Sequence, residues 1–396
     1  MPPLTELSPT EPSQIGRTAP EGLALYIHWP FCESKCPYCD FNSHVADSID
    51  HDRWAAAFCA ELDHFAGEIT GKTVGSIFFG GGTPSLMNPA TVEAVITAIA
   101  RHWQLDAQAE ITLEANPSSV EANRFAGFHA AGINRVSLGV QALDDSALKF
   151  LGRRHSLREA LDAIQVAAKT FSRFSFDLIY ARPEQTVAAW RDELTQAIAL
   201  AGSHLSVYQL TIEPGTAFHK DRVLTVDEDT GAALYEVTQE ILEAAGMPAY
   251  EISNHACPGE ESRHNLTYWR MGSWLGIGPG AHSRLQLEDT TSAFHHWRSP
   301  DKWMTAVETE GHGTAKRTTL TAEDDHQETI MMGLRLREGI NRQNFETRFE
   351  KSFEEVVETS ALNNLVKDDY LICDDHSLRA TSKGRQCLNA VLGQLL

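Results

Sequence analysis

The chain has 396 residues, of which 42% are hydrophobic and 22% are charged, and its formal net charge is −21. This is the composition of a soluble globular protein of two or three domains without a transmembrane helix, because no apolar run reaches the roughly 18 residues that such a helix needs. The negative charge argues against a general nucleic-acid binder and against tight association with anionic lipid, since both require clustered Lys and Arg.

The first part of the chain is predicted to be a short tail followed by alternating strands and helices. Residues 1–20 are rich in Pro, Thr and Glu, which predicts a disordered tail rather than a signal peptide. Strands are predicted at 23–28, 74–79, 110–114, 135–138, 174–180 and 205–212, and helices at 51–66, 91–103, 156–169, 187–200 and 230–245. About six strand-then-helix units predict an α/β fold with parallel strands and right-handed crossovers. A full eight-strand barrel is not evident.

The pattern of predicted helices and strands changes near residue 300. Helices are predicted at 322–338, 343–349, 353–365 and 382–396, and two short strands at 370–373 and 378–381. Helices followed by a hairpin predict a small winged-helix-like α+β domain over 301–396, after a barrel domain over 21–300. Winged-helix domains often bind DNA, but this one has no clear basic face.

Three of the seven cysteines lie in one short run, Cys32, Cys36 and Cys39, with the spacing C-x3-C-x2-C. Few, clustered cysteines suit a reducing compartment, which predicts the cytoplasm. Three thiolates on a [4Fe–4S] cube leave one iron without a protein ligand, so that iron can bind a substrate. The alternative is a zinc site, for which Asp40 or His44 could supply the missing ligand.

Glycines and polar residues follow several predicted strands, at the edge of a barrel where active sites form. The run of glycines at 80–82 would let backbone N–H groups approach S-adenosylmethionine (SAM) closely as its amino and carboxylate groups chelate the iron. Polar side chains that could hold the ammonium, carboxylate and ribose hydroxyls are Glu114, Gln141, Arg153 and Asp177. Each of these alone is more simply a glycine turn, a strand-end polar group or a surface charge.

A later run, His264-Asn265-Leu266-Thr267-Tyr268-Trp269, combines an exposed-looking histidine with aromatic residues. A lone histidine is more often structural, but aromatic neighbours suit a flat apolar ligand such as a porphyrin, with His264 as an iron ligand. Cys257 could also ligate haem and is interpreted as structural. The glycine-rich run at 276–280 is rejected as a dinucleotide loop, because the expected strand, helix and downstream acidic residue are not clear.

Together these runs resemble the radical-SAM superfamily, and within it the coproporphyrinogen-dehydrogenase-like branch, over nearly all of residues 21–396. The resemblance rests on the runs at 26–28, 39–41, 132–141, 208–216 and 264–269. It implies an open (β/α)6 partial TIM barrel with a C-terminal domain, and a [4Fe–4S] cluster ligated by the three cysteines. It also implies SAM contacts from Tyr26, Tyr38, Gly81, Gly82, Thr83, Glu114, Gln141, Arg153, Asp177 and Thr211.

Two features favour the haem-chaperone members of this branch over the dehydrogenases. Phe41 stands where the dehydrogenase pattern has a further cysteine. The chaperone members are typified by the run that here contains His264, Asn265, Tyr268 and Trp269, which is associated with haem binding. The resemblance therefore implies a protein that binds haem and delivers it to respiratory haem proteins.

The resemblance leaves two alternatives open, oxidative decarboxylation of coproporphyrinogen III and, more weakly, RNA modification by the same radical chemistry. The expected partners are haem, acceptor haem proteins and a reductant protein; a homodimer and a peripheral position at the inner membrane stay open. One departure from the family concerns residues 181–184, where Ala-Arg-Pro-Glu replaces the usual Gly-Leu-Pro-Gly. This bulkier turn puts the local geometry on the SAM side in question.

Overall fold

The structure is a computed structural model that describes residues 22–287 and 290–396. The predicted disordered tail over 1–20 lies outside the described residues. The strands up to residue 256 are β1 (Gly22–Trp29), β2 (Phe31–Cys32), β3 (His44–Val45), β4 (Thr73–Gly81), β5 (Gln104–Ala115), β6 (Arg135–Gln141), β7 (Arg173–Tyr180), β8 (His204–Gln209) and β9 (Asn254–Ala256). The helices up to residue 269 are α1 (His51–Ala66), α2 (Pro89–His102), α3 (Ser119–Ala122), α4 (Phe125–Ala130), α5 (Asp145–Phe150), α6 (Leu157–Thr170), α7 (Val187–Leu200), α8 (Ala217–Lys220), α9 (Glu228–Ala244) and α10 (Arg263–Trp269).

The rest of the chain first adds to the large sheet and then forms a small domain. The added elements are β10 (Ser273–Ile277), β11 (His282–Leu287), β12 (Thr290–His296), α11 (Pro300–Glu310) and β13 (Thr314–Thr319). The small domain contains α12 (Ala322–Gly333), β14 (Ile340–Asn341), α13 (Arg342–Phe349), α14 (Phe353–Val356), α15 (Thr359–Lys367), β15 (Leu371–Cys373), β16 (Ser377–Ala380), α16 (Ser382–Gln386) and α17 (Leu388–Leu395).

The large sheet has eleven strands in the order β13-β12-β11-β10-β1-β4-β5-β6-β7-β8-β9. The six strands β1 and β4 to β8 are parallel neighbours, which confirms the predicted α/β fold with an open (β/α)6 partial barrel. Strand β10 adds to β1 in parallel, and β11, β12 and β13 follow as antiparallel strands. This extension, which was not predicted from the sequence, carries the sheet to Thr319, past residue 300.

The barrel strands are apolar on the face that packs under the helices. In β1, Ile27 and Trp29 are fully buried, and Trp29 contacts Phe58 of α1. On the other face of β1, Tyr26 and His28 point into the barrel, where their side chains are hydrogen-bonded to each other. Because side chains alternate along a strand, the buried apolar face of β1 leaves its polar face for the interior.

A buried carboxylate joins helix α1 to the added strands. Glu61 is fully buried and accepts hydrogen bonds from the Gly278 N–H (2.9 Å), the Gly313 N–H (2.6 Å) and the indole of Trp303 (3.1 Å). Burial alone would raise the pKa of this carboxyl. His296 and the N–H donors lower the pKa by more than burial raises it, so it lies below its usual range. Glu61 thereby fixes the glycine-rich segment after β10, which the sequence analysis rejected as a dinucleotide loop.

The small C-terminal domain has its own apolar core and a three-stranded sheet in the order β14-β16-β15. Phe345, Phe353 and Leu378 are among its buried residues. The predicted helix over 353–365 is divided at Val357, and the predicted helix over 382–396 is divided at Cys387. None of the helices among residues 22–287 and 290–396 is long and apolar enough to cross a membrane.

Candidate functional site

The three cysteines line a cavity of about 530 Å³ at the carboxyl ends of the parallel strands. All three are free thiols of intermediate exposure. Two side chains donate to their sulfurs: the Thr83 hydroxyl to Cys32 (3.4 Å) and the Arg153 guanidinium to Cys36 (3.3 Å). In the described part of the chain, no three His, Cys, Asp or Glu side chains are close enough to hold a single metal ion.

The glycine run at 80–82 packs against the strands beside it. The Gly81 N–H donates to Glu114 (3.2 Å), and the Gly82 N–H donates to the Trp29 carbonyl (2.6 Å). A Cβ at Gly81, whose φ is +108°, would lie 2.6 Å from the His28 ring, and one at Gly82 would lie 2.6 Å from the Phe31 carbonyl oxygen. The sequence analysis expected these N–H groups to approach a ligand. Close packing on β1 and β2 gives a further reason for glycine at these positions, and the contact with SAM stays a prediction.

The other residues expected to contact SAM surround the same cavity, with one exception. The residues that line it are Tyr38, Gly81, Gly82, Thr83, Glu114, Gln141, Arg153, Asp177 and Thr211. Arg153 also donates to the Asn116 side chain (2.6 Å) and to the Gly139 carbonyl (2.9 Å), so its guanidinium is held in one orientation. The exception is Tyr26, which lies deeper in the barrel.

Two carboxyl groups at the floor of the cavity are protonated more readily than usual. Burial, and then the neighbouring Asp177, raise the pKa of Glu114 to about 8. Burial raises the pKa of Asp177 to about 6. Because like charges close together cannot both ionise cheaply, this pair holds a proton near neutral pH and can both donate and accept hydrogen bonds.

A second, smaller chamber of about 170 Å³ lies deeper in the barrel and shares Glu114 and Asp177 with the first cavity. Its lining includes Tyr26 and three residues of the late aromatic run, His264, Asn265 and Tyr268. The structure therefore brings most of the predicted haem-associated residues beneath the predicted SAM residues.

His264 is buried, so the sequence-based expectation of an exposed histidine is wrong. Only 2% of its surface is exposed, because its ring stacks on Phe78 with centroids 5.0 Å apart. Its Nδ1 is hydrogen-bonded to the Ser76 hydroxyl (3.0 Å) and its Nε2 to the Tyr268 hydroxyl (2.8 Å). Burial lowers the pKa of His264 to about 3, so the ring is neutral near pH 7.

The remaining haem candidates lie outside this chamber. The ring of Trp269 faces the guanidinium of Arg335, which stands 5.5 Å from the ring centroid. Cys257 is packed against the main apolar core, in keeping with its interpretation as structural.

Some residues of the site were not predicted from the sequence. Asn116, which binds Arg153, was visible as the polar residue just after β5. Arg135 and His204, which line the deeper chamber, lie at the amino ends of β6 and β8. Neither residue lies at a carboxyl strand end, where the active-site residues of such a barrel are expected.

The unusual turn at 181–184 is held by an ion pair. Ala181 and Glu184 have φ values of 60° and 58°, in the left-handed region where the family has glycine. The buried Arg182 pairs with Glu193, whose carboxylate also accepts the Leu143 N–H (2.9 Å). The ion pair therefore ties the strained turn to the segment that follows β6.

Comparison with known proteins identifies the family. A model described as the radical SAM superfamily matches residues 26–197, and one described as the HemN C-terminal domain matches residues 320–387. The protein named heme chaperone HemW from Escherichia coli is 38% identical over 378 residues, which cover 93% of this chain and 97% of that protein. The chain belongs to this radical SAM family.

Two further matches extend the comparison. The mitochondrial protein of Bos taurus named radical S-adenosyl methionine domain-containing protein 1 is 38% identical over 385 residues, covering 94% of this chain and 87% of that protein. The structure of coproporphyrinogen III oxidase (HemN) from Escherichia coli superposes with a TM-score of 0.81 at 22% identity, over 94% of this chain and 89% of that one. At that identity the superposition supports the fold alone.

Membership of the radical SAM family implies a [4Fe–4S] cluster and SAM, and the residues of the upper cavity fit both. Three free thiols line one cavity, and two of them receive hydrogen bonds, Cys32 from Thr83 and Cys36 from Arg153, as thiolate ligands of a cluster do. Around them stand amide, guanidinium and carboxyl groups of the kinds that bind an amino acid and a ribose.

Proposed function

We propose that this protein is a haem chaperone that binds haem, delivers it to respiratory haem proteins and retains a cluster and SAM. The observation that carries the proposal is the match, over nearly the whole chain, to relatives named heme chaperone. Phe41 adds support, because it occupies the position of the dehydrogenase branch's extra cysteine and its side chain is 62% exposed.

The proposed haem site is the segment of His264, Asn265, Tyr268 and Trp269. Its support is that three of these residues line one chamber beneath the cluster loop. The chamber volume of about 170 Å³ is well below the roughly 300–1,000 Å³ of pockets that enclose drug-sized ligands, so haem requires this segment to open.

The opening is expected at the end of α10 rather than at its start. The Arg263 N–H donates to Glu110 (3.0 Å), which is itself buried and paired with Arg173, so the first turn of the helix is anchored. The Tyr268 hydroxyl, in contrast, is the group that occupies His264 Nε2. Moving the Tyr268 side chain would free this nitrogen for an iron.

The upper cavity would hold the cluster through Cys32, Cys36 and Cys39 and SAM through the residues around them. Bound there, the two groups would supply one-electron reduction chemistry. Thr83 and Arg153 would hydrogen-bond the thiolates, and Glu114 with Asp177 would bind hydroxyl or ammonium groups of SAM. Tyr26 would act from below, since its hydroxyl is bonded to His28 (3.0 Å) rather than directed at the cavity.

The proposal includes partners that a chaperone of this kind needs. These are the acceptor haem proteins and a protein that reduces the cluster, with a homodimer as the proposed assembly. We place this activity in the cytoplasm, with delivery at the inner membrane, where respiratory haem proteins lie.

The test is an anaerobic haem titration of the cluster-reconstituted protein, followed by absorbance. We expect one haem per chain, with weaker binding in His264→Ala and unchanged binding in His255→Ala. His255 is a matched control because it is equally buried, with 1% exposure, and lies in β9. Coproporphyrinogen III with SAM and a reductant is assayed in parallel. Decarboxylation and 5′-deoxyadenosine formation without stoichiometric haem binding would overturn the proposal in favour of the dehydrogenase.

A further inference from the structure

Ser43 carries a buried hydroxyl without a completed hydrogen bond. Ser43 is 8% exposed, and its Oγ has no hydrogen-bond partner among the described residues. A buried polar group left unpaired costs about 1–3 kcal/mol, so such a group normally has a partner in the functional protein. Ser43 lines the upper cavity together with Cys32 and Cys39.

The sulfurs of Cys32 and Cys39 are the acceptors that share the cavity with this hydroxyl. Ser43 follows Cys39 by four residues in the same loop, and the side chains of all three residues line the upper cavity. A buried hydroxyl that finds no partner in the described protein is free to donate to sulfur when the thiolates carry a cluster.

The backbone on both sides of Ser43 is anchored. The Asn42 side chain donates to the carbonyls of Pro279 and Arg298, each at 2.9 Å, and the Asn42 carbonyl is bonded to His28 Nε2 (2.9 Å). On the other side, the His44 N–H donates to the Pro30 carbonyl (2.7 Å). These contacts of its two neighbours hold Ser43 at the wall of the cavity.

The glycine-rich segment after β10 makes this anchoring possible. Gly280 has a φ of +78°, and a Cβ there would lie 2.6 Å from the Asn42 side-chain nitrogen. The added strands, through Glu61 and this segment, thus determine where Asn42 and Ser43 lie. This gives the glycine run a role in the cluster loop.

We propose that Ser43 tunes the [4Fe–4S] cluster by donating its O–H to sulfur at the Cys32 and Cys39 side. Reduction adds one negative charge to the cluster and its thiolates. A hydroxyl dipole directed at sulfur stabilises that charge, and hydrogen bonds to cluster sulfurs are one of the means by which proteins set the potential. The hydroxyl therefore raises the reduction potential.

The test is a redox titration of the reconstituted cluster, followed by electron paramagnetic resonance. We expect Ser43→Ala to have a more negative potential, with a shift on the order of tenfold in the redox equilibrium, which is about 59 mV for a one-electron couple. Ser43→Thr retains the hydroxyl and should keep the parent potential. Ser48→Ala, which removes an exposed hydroxyl further along the same loop, should also leave it unchanged.

Two outcomes would overturn the proposal. One is an unchanged potential in Ser43→Ala with full iron content. The other is an equal shift in Ser43→Thr, which would assign the effect to packing rather than to the hydroxyl. If Ser43→Ala does not assemble a cluster, the reduction potential is measured in Ser43→Gly, which also lacks the hydroxyl, and is interpreted in the same way. The readout depends on the cluster alone, so it is independent of whether haem binds.

Discussion

The hydroxyl of Tyr268 lies 2.8 Å from Nε2 of His264, one helical turn away, and both residues line the chamber beneath the cluster loop. Removing this hydroxyl in Tyr268→Phe should make Nε2 available. Because a neutral hydrogen bond contributes about 0.5–1.5 kcal/mol, we expect haem to bind up to roughly tenfold more tightly. The measurement is an anaerobic haem titration, as a dissociation constant.

Tyr180→Phe is the control for this change. The Tyr180 hydroxyl donates to the Gln209 side chain (3.5 Å), and neither residue belongs to α10 or to the lining of the deeper chamber. Haem affinity should stay at the parent value in this variant. Parent affinity in Tyr268→Phe as well would show that the tyrosine does not hold the chamber closed.

Glu114 should make the stability of the protein without cofactors depend on pH. Its pKa is raised to about 8 by burial and by Asp177, against an ordinary value of 4.5, so between these values the folded state binds the extra proton. The contribution of protonated Glu114 to the free energy of unfolding is complete below about pH 4.5 and is lost as the pH rises through about 8. We expect the parent's free energy of unfolding to fall relative to that of Glu114→Gln by up to about 1.4 kcal/mol per pH unit in this window.

Urea unfolding of both proteins from pH 5 to 8 measures this difference. Glutamine is neutral throughout, so it mimics the protonated carboxyl in shape and charge. Parallel pH profiles for the two proteins would mean that Glu114 has the same affinity for protons in both states.

The strained turn at 181–184 offers a change that should stabilise the fold. Glu184 is exposed and has a φ of 58°, a conformation that costs a residue with a Cβ roughly 1–2 kcal/mol. Glu184→Gly should therefore raise the free energy of unfolding by about 1 kcal/mol. Glu184→Ala removes the same carboxylate but keeps the Cβ, so it should gain nothing. Equal stabilisation by both variants would assign the effect to charge instead of backbone strain.

Local sequence patterns were sufficient for the parts of the fold and site that are built locally. The cysteines lie in one loop, so their spacing alone predicts that they meet. The six parallel strands are apolar runs between helices, so each is recognisable by itself. Strand β13 is different, since nearly all of Thr314–Thr319 is exposed at the sheet edge and has no buried face to leave a pattern.

Tertiary packing decided what the sequence analysis got wrong. His264 looked exposed among polar and aromatic residues, but its burial comes from Phe78 and Tyr26 on distant strands. The glycine run at 276–280 looked like a loop of unknown purpose, because its partners Glu61 and Asn42 are more than two hundred residues earlier. Contacts of this range leave no periodicity in the sequence.

Glu61 is a buried group whose replacement should lower stability. Glu61→Gln has nearly the same shape, but its amide nitrogen would face the N–H groups of Gly278, Gly313 and Trp303, and His296 would lose a charged partner at 3.2 Å. Hydrogen bonds to charged groups contribute about 1.5–3 kcal/mol each, and several donors lose theirs, so the free energy of unfolding should fall by roughly 3 kcal/mol. Glu68→Gln removes an exposed partner of Arg317 and should change the free energy of unfolding by less than about 1 kcal/mol.

Because Glu61 also holds the segment against Asn42, its loss should increase hydrogen exchange in the cluster loop, which Glu68→Gln should leave unchanged. A large loss of stability without faster exchange there would separate the core role of Glu61 from any role in the site.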